Sequence, residues 1–494
     1  MRMFAIMLSC CIGFVSLSHE ILWVRLISFH LKGVPEAFSL VLCVYLFAIA
    51  VGAALGKRLT AGDHDLIAQS SRMLLYAALT DGLVLLYRSE WSRWALPFFL
   101  FIMFGGAMWK SALFPIVHHL GASTSLESQG RSVSTVYFFN ILGSTLGPLV
   151  TGYVALDRIG LQQGFLLIVV MDLLLFSACS LVLRSPLRTL LAATSGSLIA
   201  ILFWNSPILL PALIGSKTNH IIENRQGIVH VVAADGLGDT VFGGNVYDGR
   251  INTSLVKNAN GVHRAYILAA LQPAPKRVLV IGLSGGSWTK IISMFPGVER
   301  IDAVEINPGY LGLISSYKEV AGILRDPRLH VHIDDGRRWI RRHPDERYDL
   351  IVMNTTFHWR DHTTNLLSLQ FLTMLRGHMR DKAILEFNAT GSMDAFRTAV
   401  AVFAHAYLYD NVIIAGQYDV RKNLEEGPKR VKPLIDAENS GSMSHRHEVR
   451  HAVERMFAIP FKTFSEIQGI SKRPYEIITD QNMITEFKYG RGLF

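Results

Sequence analysis

Apolar residues are unevenly distributed along this chain, and that limits what it can fold into. Between residues 1 and about 214 they gather into long uninterrupted runs, and from about 218 onward they come in short clusters separated by charge. A helix that crosses a bilayer needs about 20 apolar residues, whereas short alternating runs build a water-soluble α/β body. One hydrophobic core cannot serve both, so the sequence predicts an N-terminal transmembrane helical bundle (1–214) followed by a soluble part. All four cysteines (Cys10, Cys11, Cys43, Cys179) lie in the first part. The soluble part therefore has neither a disulfide framework nor a cysteine metal site.

Seven spans are predicted: 4–29, 36–56, 68–87, 94–117, 133–155, 161–183 and 189–210, the last interrupted by Pro207 and Pro211. The first continues as LSHEILWVRL with no small-residue cleavage site, which marks a retained helix. The net charge of +9 fits anionic lipid headgroups. No Lys/Arg block interleaved with aromatics points to nucleic acid. Lys and Arg flank both sets of loops, so the positive-inside rule assigns no orientation. Charge inside hydrocarbon is costly, so His19, Glu20, Asp81, Lys110 and Asp172 are expected to face the bundle interior, as helix-locking ion pairs or as a polar pathway. Gly143 and Gly147 have the GxxxG spacing of closely packed helices.

The soluble part opens with a small β-hairpin unit (218–260), with a strand at 228–234 and turn signals at Gly243-Gly244 and Asp248-Gly249. Strands then alternate with helices through 261–494, at 277–282, 300–306, 329–333, 348–354, 383–388, 411–416 and 475–479. That alternation predicts a Rossmann-like α/β domain with a mainly parallel, seven-stranded sheet, whose ligand sits at the carboxyl ends of the strands. Small residues fill the first such turn (Gly282, Ser284, Gly285, Gly286) and let a nucleotide approach the backbone. Glu305 ends the second strand about 20 residues on, the separation of a carboxylate that accepts ribose hydroxyls. Asp334 and Asp335 follow the third strand, where a carboxylate can accept an adenine amino group.

The segments YDGRIN (247–252), VLVIGLSGG (278–286), AVEINP (303–308), DPRLHVHIDDGRRWI (326–340), YDLIVMN (348–354) and NLLSLQF (365–371) resemble those of spermidine synthases, the polyamine aminopropyltransferases. SHEILWVRL and NILGSTLGPLVTG resemble the helical half of the membrane-fused members. The resemblance implies S-adenosylmethionine or its decarboxylated form as co-substrate. It puts Gly282 and Gly286 beside the nucleotide, Glu305 at the ribose, Asp335 at adenine and Asn252 near the sulfonium. It also implies a small amine or lipid acceptor at the bilayer, a soluble domain on the cytoplasmic side of a bacterial-type inner membrane, and room for a homo-oligomer. With seven spans the N-terminus would lie outside.

Two features of that family are missing. Gly285 stands where its glycine-rich turn carries an Asp, and Asn354-Thr355-Thr356-Phe357-His358 replaces its Asp-Ser-Ser/Thr-Asp-Pro pattern. An alkylammonium must lose a proton before it attacks, and an amide cannot take that proton at neutral pH. The substitute catalytic set predicted from the 354–365 loop is Asn354, His358, Asp361 and His362, with Arg360 able to hold a carboxylate or phosphate. Asn388 ends the next strand and can face the same cleft. His447-Glu448-Val449-Arg450-His451 matches the H-E-x-x-H zinc pattern, but in a charged stretch it reads as a solvated helix, so no metal is predicted. Aminopropyl-type transfer, or a reaction within the nucleotide's own side chain, is the leading expectation. The alternatives are methyl transfer to a membrane substrate and a non-catalytic nucleotide-binding or transport-associated module.

Overall fold

The computed structural model describes the chain except residues 63–64, 123–125, 235, 355–356, 439–442, 471–472 and 494, so Thr355 and Thr356 of the predicted loop lie outside the described residues. The chain divides into two compact units, 1–217 with 223–225, and 218–222 with 226–494.

The first unit is helical: α1 (Arg2–His30), α2 (Glu36–Thr60), α3 (Leu66–Gly82), α4 (Ala95–Gly121), α5 (Leu126–Tyr153), α6 (Leu161–Val182), α7 (Pro186–Phe203) and the short α8 (Leu209–Ile214). Among the described residues, six helical segments are long and apolar enough to cross a membrane, where the sequence predicted seven. The difference is α3, which has only 17 residues before a 3-10 turn at Leu83–Leu86. The last predicted span is also divided, because the chain leaves the helix before Pro207 and resumes as α8. Gly143 and Gly147 of α5 lie on the α1 backbone, and a Cβ at either would overlap the carbonyl oxygen of Cys10 or Phe14.

Four of the five predicted intramembrane ionisable residues meet. His19 (α1), Asp81 (α3), Lys110 (α4) and Asp172 (α6) are each at most 1% exposed. The Lys110 ammonium pairs with Asp81 and lies 3.4 Å from Asp172, and His19 Nε2 is 3.1 Å from Asp81. Trp23 Nε1 donates to the same histidine nitrogen at 2.6 Å. Glu20 is only half-buried.

In the second unit, β1 (Thr218–Asn224), β2 (Gly227–Val232), β3 (Thr240–Gly243) and β4 (Val246–Arg250) form a four-stranded sheet rather than a lone hairpin. The larger sheet contains β5 (Arg277–Ile281), β6 (Arg300–Glu305), β7 (Leu329–Ile333), β8 (Tyr348–Met353), β9 (Met379–Asn388), β10 (His405–Tyr409), β11 (Val412–Gly416) and β12 (Phe461–Lys462). Its order is β12-β10-β11-β9-β8-β5-β6-β7. Neighbours from β9 to β7 pair in parallel, and the β9–β11, β11–β10 and β10–β12 pairs are antiparallel. The sheet is thus eight-stranded and mixed, not seven-stranded and mainly parallel.

The predicted strand at 475–479 does not join the sheet. It runs extended over the helices, where Ile478 donates to Thr398 Oγ1 (2.9 Å) and accepts from Leu369 N–H (2.8 Å). The side-chain period of 2 explains the two-sided core: Val278 and Val280 of β5 face one apolar layer, Leu279 and Ile281 the other. Helices α9 (His263–Leu271), α10 (Ser287–Ser293) and α11 (Gly309–Ser315) contribute to the first layer.

Lys110→Met would leave two buried carboxylates without their cation. The expected cost is about 3–5 kcal/mol, read as a lower unfolding midpoint of the detergent-solubilised protein. Adding Asp81→Asn and Asp172→Asn should restore most of the loss.

Candidate active site

Two clefts open at the carboxyl ends of β5, β6 and β8, and they share Asp248 and Asn354. The first, of about 210 Å³, is lined by Gly282, Ser284, Glu305, Asp334, Asp335 and Arg360, among others. Glu305 organises it. One carboxylate oxygen accepts the N–H of Leu283 in the turn after β5 (2.8 Å), and the other accepts the N–H of Asn307 after β6 (2.8 Å). Burial pushes this carboxyl up to about 7 against those two bonds. Gly282 has φ +88°, and a Cβ there would press on the Asn354 carbonyl oxygen at 2.7 Å. Only glycine fits that close approach of β5 to β8.

The remaining predicted nucleotide residues divide. Asp335 lines the cleft and also caps the helix at 336–342, accepting Arg338 N–H at 2.8 Å. Asp334 lines it too, with its carboxylate paired to Arg338 and Arg342. Gly285 and Gly286 are turned away from it: a Cβ on the first would meet Ile251, and on the second Ile314 and Ile323. Asn252 lines neither cleft. Its side chain is folded onto the backbone of Ser254.

The second cleft, about 170 Å³, is lined by Tyr247, Asp248, Asn260, Arg264, Trp288, Asn354, Phe357, Asn388, Thr390 and Asn411. Apart from Asp248 it offers amides, aromatics, the Thr390 hydroxyl and one guanidinium. Asp248, on β4, stands at the junction. Tyr310 of α11 donates to its Oδ2 (2.5 Å), and Ser284 Oγ donates to its backbone carbonyl (2.5 Å). Enclosure pushes this carboxyl up to about 6, while the Tyr310 hydroxyl and the Arg360 charge pull the other way. In the sequence Asp248-Gly249 is a turn signal inside the YDGRIN segment, and nothing there marks Asp248 as a carboxylate at the centre of the site.

The predicted catalytic loop contributes unevenly. Asn354 lines both clefts and Arg360 the first. His358 stands one residue back, with Nδ1 3.0 Å from Thr390 Oγ1, and burial pulls its pKa below the usual value. Asp361 and His362 are exposed and paired with each other at 3.3 Å, outside the residues lining either cleft. The loop is held from the C-terminal segment by buried Glu486, which accepts the N–H groups of His362 (3.1 Å) and Thr364 (2.7 Å). His447 and His451 lie on the exposed face of the helix at 443–458, where His451 pairs with Glu454 at 3.1 Å.

Two residues before Asn388 on β9, Glu386 is fully buried, and among the described residues neither of its carboxylate oxygens has a hydrogen-bond partner. Burial pushes it up to about 8, against an ordinary 4.5. A raised folded-state pKa means that the folded chain holds a proton the unfolded chain releases. The resulting stability is complete below about 4.5 and lost as pH rises through about 8, at no more than ~1.4 kcal/mol per pH unit. Wild type should therefore lose stability relative to Glu386→Gln between pH 5 and 8.5 in chemical unfolding. A constant difference between the two would show that Glu386 is not a buried neutral acid.

Residues 265–394 match the model for the spermine/spermidine synthase domain. A polyamine aminopropyltransferase of Agathobacter rectalis is 33% identical over 123 residues, which is 25% of this chain and 42% of that enzyme. The chain thus spans about two-fifths of that relative's length. Polyamine aminopropyltransferase 2 of Streptomyces coelicolor is 26% identical over 412 residues, 77% of this chain and 72% of the relative, so the likeness extends into the helical half. A solved spermidine synthase from Thermotoga maritima aligns over 47% of this chain and 88% of its own, at 16% identity and TM-score 0.38. Residues 265–394 are thus similar to the spermine/spermidine synthase domain, and polyamine aminopropyltransferases are among the relatives of this chain.

Proposed function

We propose that this protein is a membrane-anchored transferase that binds an adenosyl sulfonium compound in the first cleft and moves an aminopropyl-type group to an amine in the second. The observation that carries this is the meeting of the two clefts at Asp248 and Asn354. Glu305 would accept the ribose hydroxyls and Asp334–Asp335 would face adenine, with the sulfonium directed toward Asp248. The amine nitrogen attacks the sulfonium-bound carbon, the carbon–sulfur bond breaks, and neutral methylthioadenosine leaves. The proton released by the amine goes to the Asp248 carboxylate. This assigns to Asp248 the role predicted for His358, Asp361 and His362. Asn354 orients by hydrogen bonding, and binding energy goes mainly to alignment of the two reactants.

A carboxylate that titrates near 6 is ionised at neutral pH and still a serviceable base. The rate should therefore rise with pH through about 6. Asp248→Asn should lower kcat by about 10²–10⁴-fold and remove that limb. Methylthioadenosine release is the readout. Adenosylhomocysteine in its place would mean methyl transfer, and neither product despite nucleotide binding would mean a non-catalytic module.

The long apolar helices support the anchor. With its 3-10 turn, α3 runs from Leu66 to Leu86, roughly 34 Å at about 1.5 and 2 Å per residue, enough for a hydrocarbon core of about 30 Å. We count it as a seventh crossing whose mean hydropathy is lowered by inward polar residues such as Ser70, Ser71 and Asp81. Reporters at the two ends should then read opposite sides, with the C-terminus cytoplasmic. The same side for both would mean six crossings.

A further inference from the structure

We infer that the second cleft takes an amino-carboxylate, a group bearing both an amine and a carboxylate, with Arg264 as the anchor for the carboxylate. This rests on the adenosyl-transferase reading above. Arg264 reaches the cleft from α9 and stacks over the Trp288 ring, its guanidinium carbon 5.0 Å from the centroid. Three of its N–H groups are engaged, all by neutral oxygens: the carbonyls of Gly261 (2.9 Å) and Asn260 (3.0 Å) and the side-chain oxygen of Asn411 (2.5 Å). A guanidinium has five N–H donors, so two remain. Among the described residues Arg264 forms no ion pair. Two acids act on its charge without an ion pair to it among the described residues: Asp410, which lies 3.3 Å from His263, and Glu386, whose carboxyl burial pushes up to about 8. Burial pulls the guanidinium below its usual pKa, and the charges of Glu386 and Asp410 offset that only in part.

A cleft built around that cation rejects a second ammonium and attracts an anion. Asp248 faces the same space and suits an amine, so one acid and one base stand in a cleft lined between them by the amides of Asn260, Asn354, Asn388 and Asn411. That is the complement of a zwitterion. An amino-carboxylate reaches this cleft from either of two sources: the methionyl end of S-adenosylmethionine itself, or a free amino acid acting as acceptor.

Calorimetry on the detergent-solubilised full chain separates the possibilities. Methylthioadenosine, which carries neither amine nor carboxylate, tests the first cleft alone, and failure to bind would remove the reading on which the inference stands. If it binds, two pairs differing only in a carboxylate are compared: S-adenosylmethionine with its decarboxylated form, and ornithine with putrescine in the presence of methylthioadenosine. A preference of at least 10-fold for the carboxylated member is expected in one pair, and that pair identifies the source. Arg264→Gln should abolish the preference. Its methylthioadenosine binding reports whether it has folded, and Arg264→Lys, expected to retain part of the preference, replaces it if it has not. Equal binding of both members in wild type, or a preference that survives in Arg264→Gln, would overturn the assignment. So would a preference that emerges only in Glu386→Gln, since Glu386 would then be the counter-ion.

Discussion

A charge withdrawn from water must meet an opposite charge or a full set of hydrogen bonds, and both halves of this protein are arranged around that requirement. In the helical half Lys110 sits between Asp81 and Asp172, with His19 closing the group, so four helices are tied at one polar point. In the soluble half the Glu305 carboxylate is held by two backbone N–H groups. The same bonds set the spacing between the turn after β5 and the end of β6, so the acid proposed to grip a ribose also shapes the cleft around it.

The chemistry follows from which charges are left incompletely answered. Asp248 keeps one carboxylate oxygen free of the Tyr310 hydroxyl, which occupies the other, and with Asn354 it is what the two clefts share among the described residues. Its position depends on the small sheet: β4 brings it over the strand ends of the large one, and Ser284 holds the β4 backbone there. Glu386 and Arg264 sit just beyond, one without hydrogen bonds and the other without an ion pair among the described residues. Burial alone would make such groups liabilities. In the cleft lining, Arg264 is what a ligand's own charge can complete.

Much of this was legible in the sequence where a single local rule decides the outcome. The alternation in RVLVI predicts a strand buried on both faces, and the spacing from Gly282 to Glu305 predicts two neighbouring strand ends. What escaped depended on the tertiary context. Asp248-Gly249 has the composition of a turn, and only the pairing of β3 with β4 makes it a strand that faces the cleft. Asp361 and His362 have suitable chemistry, but the backbone grip of Glu486 holds their loop with both side chains exposed. YEIIT has β-favouring residues yet meets helices instead of a sheet edge, with Ile478 bonded to Leu369 and Thr398. Glu386 lies in an apolar run and reads as a strand residue, and nothing local discloses that it lacks partners.

A structure of the chain with methylthioadenosine bound tests the central claim most directly. The account predicts ribose hydroxyls within about 2.6–3.2 Å of the Glu305 oxygens, adenine against Asp334 and Asp335, and the thioether sulfur turned toward Asp248. Density for the ligand with its sulfur directed away from Asp248, or in any cleft that does not include Glu305, would contradict it.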